Sequence, residues 1–162
     1  MAKRVAERPH GEDTEYNIYP KPLQSPYADR RFEAGENLYG ALGIRREDKV
    51  NRRLQFNRNF QLFGAPVGLF CYIHRGMGPP QWSDLGMYLQ SLMLLAVEEG
   101  LATCAQECWS LFPKTVAKHV APPAELMLFC GMAIGYEDPI ALANKVVARR
   151  AQPSEFASFI GI

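Results

Sequence analysis

Apolar positions along the 162-residue chain recur with two different periods, and the periods predict its elements. From Ala28 to Leu42, the residues Phe32, Leu38, Tyr39 and Leu42 return at helical spacing, and Gly43 suits the end of such a helix. Arg46 to Phe60 sets Val50, Leu54 and Phe60 among charges, which predicts a second amphipathic helix. "VGLFCYIH", residues 67–74, is short, aromatic and partly β-branched, the pattern of a buried strand. "RGMGPPQ" then reads as a loop. Residues 82–99 predict a long helix ended by Gly100, and its second half is apolar nearly all round, as in a central helix or one buried against a partner subunit. "LATCAQ" predicts a short strand. A small helix over residues 114–119 follows Pro113, a permitted helix start. "ELMLFCGMAIGY", residues 125–136, predicts another buried strand with a bend near Gly131.

The two ends have a different texture. Pro20, Pro22 and Pro26 break any helix in residues 1–26, which predict an extended arm anchored by Tyr16, Ile18, Tyr19 and Leu23. The tail, residues 145–162, is basic and then apolar, ending in "EFASFIGI", a tip that a monomer would have difficulty hiding. A few buried strands separated by helices predict one domain, an α/β or α+β sandwich around one sheet.

Composition narrows the function classes. Apolar residues make up 48% and charged residues 22%, a globular balance. A net charge of +1 gives no general drive toward nucleic acid or an acidic membrane surface. No apolar run has the length of a membrane span, and the first residues lack the pattern of a signal peptide, so the expectation is a cytoplasmic protein. Residues 30–58 hold eight basic side chains against four acidic ones, but without aromatic interleaving or a nucleic-acid motif they read as a solvated helix face.

The candidate chemistry is sparse. Cys104 and Cys108 lie close in sequence, yet a zinc site needs a second clip or histidines at fixed spacing, and His10, His74 and His119 are scattered. No metal is expected. A redox pair needs a two-residue gap, and in one strand Cys104 and Cys108 would share a face too far apart to bond. The four cysteines, Cys71, Cys104, Cys108 and Cys130, therefore read as free, buried thiols of a reducing compartment. His74 ends a strand and reads as an exposed loop histidine. The adjacent Arg149 and Arg150 are able to hold a phosphate by charge-assisted hydrogen bonds.

Taken in order, "NFQLFGAPVGLFCYIHRGMGPPQWSDLGMYLQSLMLLAVEEGLATCAQECWSLFP", "LMLFCGMAIGYEDP" and "ARRAQPSEF" resemble the flavin-dependent nitroreductase family. Each motif is soft; the ordered set, over residues 57–162, is specific. The resemblance implies an α+β sandwich of a small, mostly antiparallel sheet and helices, assembled as an intertwined homodimer whose tails cross to the partner. It implies FMN at the dimer interface, NAD(P)H as reductant, and a nitroaromatic or quinone, a small aromatic, as substrate. By position, Ala105, Gln106, Glu107 and Cys108 would line the flavin ring, with the Glu107 N–H toward N5 and its side chain near nicotinamide or substrate. Arg150, assisted by Arg149, would hold the FMN phosphate. The family's early R-x-S-x-R-like phosphate-binding motif has no counterpart in "MAKRVAERP", and Ala105 stands at a frequent proline. The resemblance thus also leaves an alternative: a truncated dimeric relative with weak or no FMN binding, acting as a ligand-binding or structural protein.

Overall fold

The computed structural model describes residues 1–161. Its centre is a three-stranded antiparallel sheet in the order β1–β3–β2, with β1 at Val67–His74, β2 at Ala102–Gln106 and β3 at Leu126–Gly135. The described residues also hold six α-helices: α1 (Ala2–Glu7), α2 (Tyr27–Ala41), α3 (Lys49–Asn57), α4 (Pro79–Glu98), α5 (Pro113–Val120) and α6 (Pro153–Phe156). This is the α+β sandwich expected.

Boundaries differ from the expectation where proline and capping chemistry decide them. The α4 helix starts three residues earlier than 82, because Pro79 and Pro80 occupy the first turn, where no backbone donor is needed. The α3 helix starts after Asp48, whose side chain accepts from the Asn51 N–H at 3.0 Å. It does not run to Phe60: the chain tightens into a 3-10 turn over Arg58–Gly64. Residues 1–26, expected as an extended arm, open instead with helix α1, which buries Val5.

Strand β3 is the buried middle strand and serves two cores. The irregularity in its pairing is at Phe129 rather than at Gly131: Cys71 pairs with Cys130 but Tyr72 pairs with Leu128. One extra residue flips the alternation of β3. Leu128 therefore faces the core of Phe60, Trp109, Phe112 and Val116, while Cys130 and Met132 face the core of Cys71 and Leu89. Helix α4 covers the second core through Leu85, Leu89, Leu92 and Met93. Its opposite stripe, Met87, Tyr88, Leu94 and Leu95, is exposed.

Polar clamps tie the arm across the sheet. The Tyr16 hydroxyl donates to the Phe129 carbonyl at 2.6 Å, on the bulge itself. Glu15 accepts from Arg75 at 2.7 Å. Glu12 is buried and caps the first turn of α5 from outside it, accepting from the Thr115 N–H at 3.0 Å and its hydroxyl at 2.6 Å, and from Arg4 at 3.2 Å. Gly11 permits this approach: its φ is +92°, and a Cβ there would lie 2.6 Å from the Leu111 carbonyl oxygen.

Burial opposes ionisation of Glu12, but the Thr115 side chain and backbone, with Arg4, outweigh it and hold the carboxyl below the usual glutamate range. The clamp is then fully present above the unfolded-state pKa, about 4.3, and is lost as pH falls through the lower folded value. Glu12→Gln is expected to cost about 1–3 kcal/mol at pH 7. In urea melts the gap from wild type should close as pH falls below about 4. A gap independent of pH would assign Glu12 a purely steric role.

Candidate functional site

The end of β2 is held by a buried polar relay. Trp109 lies edge-on to Phe60 and Phe70, with centroids 5.4 and 4.9 Å away. Its indole N–H donates to Gln106 Oε1 at 3.0 Å, and Gln106 Nε2 donates to the Asn59 carbonyl at 3.1 Å. Gln106 is only 2% exposed. Its side chain is therefore occupied inside the fold, and the expected ring-lining role can reach only its backbone. The sequence carried one signal of this: Gly131, which reads as a bend, is the position where the indole rests. A Cβ there would overlap Trp109 Cδ1 and would lie 2.9 Å from Cγ.

The inward turn of Gln106 leaves its neighbours outward. Ala105 and Glu107 are exposed and Cys108 is half-buried. The β2 strand is an edge of the sheet, pairing with β3 on one side and with no strand on the other among the described residues. The peptide groups of Ala102–Gln106 that point away from β3 remain open for recognition by backbone.

Two expectations about the cysteines change. Cys104 is exposed rather than buried. It does not share a strand with Cys108, which lies in the 3-10 turn Glu107–Leu111. Burial first, and then the neighbouring Cys104, push the Cys108 thiol up to about 12, which disfavours the thiolate a nucleophile needs. No group of three or more His, Cys, Asp or Glu side chains suited to a metal occurs among the described residues. His74 is exposed, with Nδ1 accepting from the Gly76 N–H at 3.1 Å.

The candidate residues sort into two cavities. Glu107 and Cys108 line one of about 760 Å³, walled by the arm through Tyr16, Tyr19 and Lys21, with Arg31 and Phe56 opposite. Arg149 and Arg150 line another of about 690 Å³, between α2 and the tail, beside Arg30 and Glu155. Within one chain the structure does not bring the arginine pair to Glu107. Among the described residues, the side chain of Arg150 donates to the carbonyls of Ala148 and Arg149, at 3.1 and 3.4 Å.

The basic stretch 30–58 is largely engaged within the chain. Arg52 forks onto Glu36 at 2.7 and 2.9 Å and lies over Tyr39, Arg46 lies over Phe32, and Arg53 donates to the Pro9 carbonyl at 2.7 Å. No helix among the described residues is long and apolar enough to cross a membrane.

The chain is similar to known proteins in sequence and in fold. The nitroreductase family model matches residues 10–136. The chloronitrobenzene nitroreductase of Comamonas testosteroni is 34% identical over 94% of this chain, which spans 67% of that protein. The 4-nitrobenzoate reductase of Nocardioides sp. (strain LMS-CY) is 38% identical over 78% of this chain, which spans 53% of it. The crystal structure of an FMN and NADPH-dependent nitroreductase, NfnB, from Sphigopyxis sp. strain HMH superposes with a TM-score of 0.94. That match has 46% identity and covers 99% of this chain and 72% of the other.

The relay is open to a direct test. Gly131→Ala is expected to displace the Trp109 indole and to destabilise the fold by about 1–3 kcal/mol. Tryptophan emission should shift to the red as the indole gains solvent, and a urea melt should give the loss. Unchanged emission and stability would mean that the indole is not seated on Gly131.

Proposed function

Because the chain belongs to the nitroreductase family, we propose that it is an FMN-dependent NAD(P)H oxidoreductase that reduces nitroaromatics or quinones. The observation that carries this reading is the exposed edge of β2. Gln106 is turned inward, and Ala105 and Glu107 are exposed. Such a backbone-defined shelf fits a flat ring system. When bound, FMN supplies hydride transfer between the nicotinamide and the substrate. The chain orients it: Ala105, Glu107, Cys108 and the backbone of Gln106 form the ring side, and Arg149 and Arg150 hold the phosphate. Glu107 presents a carboxylate at the shelf, where it meets nicotinamide or substrate.

Two copies complete the site. Helix α4 leaves Met87, Tyr88, Leu94 and Leu95 exposed, each at 58–62%. The tail leaves Val147, Phe156, Phe159 and Ile160 exposed, each at 68–96%. An apolar stripe and an apolar tip on one chain favour a homodimer with crossing tails. The crossing would carry one copy's Arg149 and Arg150 toward the other's Glu107, joining what a single chain keeps in separate cavities. A cytoplasmic location, where NAD(P)H is available, accords with this chemistry.

The purified protein is expected to retain about one added FMN per subunit through dialysis, seen as a visible flavin band, and then to oxidise NAD(P)H in the presence of a nitroaromatic. A colourless protein that cannot hold added FMN would overturn this reading in favour of a non-catalytic, ligand-binding relative. Arg150→Ala should weaken FMN binding about tenfold to a hundredfold, the effect of one charge-assisted hydrogen bond. Flavin-fluorescence titration reads this, with the exposed Lys118→Ala as control. Leu95→Glu should convert the dimer to monomers in sedimentation velocity, and a wild-type monomer would remove the two-copy site.

A further inference from the structure

We propose that Cys71 and Cys130 are a redox-active dithiol that closes to a cross-strand disulfide when a small peroxide reaches it. The two residues are direct partners on neighbouring antiparallel strands. Opposed residues in such a pair have Cα atoms about 4.5–5.5 Å apart, inside the range of about 4.4–6.8 Å that a disulfide spans. Both thiols are free and buried, at 7% and 2% exposure, and both belong to one core with Leu89 and Met132. Their side chains therefore leave the sheet on the same face. The other two thiols have no such partner: Cys104 is opposite Ala133, and Cys108 lies in the 3-10 turn after β2.

The pair is also chemically unequal. The neighbouring Cys130 thiol holds the Cys71 thiol below its ordinary value, and Cys71, with burial, pushes Cys130 up; Cys71 is also the less deeply buried of the two. Cys71 is thus the attacking sulfur and Cys130 the resolving one. In the first step the Cys71 thiolate attacks one peroxide oxygen. The O–O bond breaks, hydroxide leaves, and Cys71 becomes a sulfenic acid. In the second step the Cys130 sulfur displaces the sulfenic oxygen. The S–S bond forms, and the displaced oxygen leaves as water with the Cys130 proton. Two thiols lose two electrons, and the peroxide, on taking up protons, ends as two waters.

The bond would act at one particular place. The Cys71–Cys130 pair adjoins the bulge at which β3 changes face, and the bulged Phe129 carbonyl anchors Tyr16 of the arm. A covalent tie there pins the register of β1 on β3 beside the anchor of the arm that walls the Glu107 cavity.

The test uses the whole chain, treated with hydrogen peroxide, alkylated under denaturing conditions and digested without reductant. A peptide pair joined at Cys71 and Cys130, two hydrogens lighter than its parts and separated by reductant, is expected. In Cys71→Ser the linked pair should vanish and Cys130 should remain alkylatable. Cys130→Ala, which keeps a small apolar group in the core, should abolish the pair as well. Complete alkylation of both thiols after peroxide, separate sulfinic acids, or linkage to Cys104, Cys108 or a second chain would each overturn the proposal. None of these readouts depends on flavin binding or turnover.

Discussion

The seat of the Trp109 indole on the Gly131 backbone is the contact on which the rest of the site depends. With no Cβ in the way, the indole closes on the middle strand through Cδ1 and points its N–H at Gln106. The Gln106 amide passes the constraint to the Asn59 carbonyl, joining β2 to the turn after α3. A buried amide with both ends occupied fixes the direction of the backbone on either side of it. Residues 105 and 107 therefore face outward with no further device. A site defined by peptide groups needs that rigidity, since a backbone cannot adjust by changing rotamer.

The second constraint is the bulge at Phe129. A regular three-stranded sheet would commit each parity of β3 to one face. The extra residue lets Leu128 serve the aromatic core while Cys130 and Met132 serve the core under α4. It also turns the Phe129 carbonyl out of the ladder to receive Tyr16. The arm is then held by charge or hydrogen bond at Pro9, Glu12, Asp13, Glu15 and Tyr16. Among the ion pairs of the described residues, only the Glu12 clamp is deeply buried, with a side chain 2% exposed, so it is the member that solvent and salt screen least.

Arginines of residues 45–58 are taken up by carboxylates, carbonyls and aromatic faces within the chain. Arg149 and Arg150 are exposed, and among the described residues the Arg150 side chain donates to the carbonyls of Ala148 and Arg149. Exposed large apolar side chains include a stripe of α4 and the tail. In the proposed homodimer, burying the stripe would bring two chains together and a crossing tail would carry its arginines with it.

Much of this was legible in the residues. The period of Phe32, Leu38, Tyr39 and Leu42 located α2, "VGLFCYIH" located β1 to the residue, and the ordered motifs of residues 57–162 pointed to the family. These are local signals, set by side-chain period and turn chemistry. The helix start at Pro79 was also local, and the same rule that placed a start at Pro113 would have found it. What tertiary structure decided was the fate of individual side chains. Gln106 reads as a polar site residue until Trp109 and Asn59, from other elements, close on it. Cys104 reads as a core thiol until the strand order leaves β2 at an edge. The bulge at Phe129, the pairing of Cys71 with Cys130, and the separation of Arg150 from Glu107 are contacts between segments far apart in the chain. Sequence period describes which face a residue takes along its own element, but not which element arrives on that face.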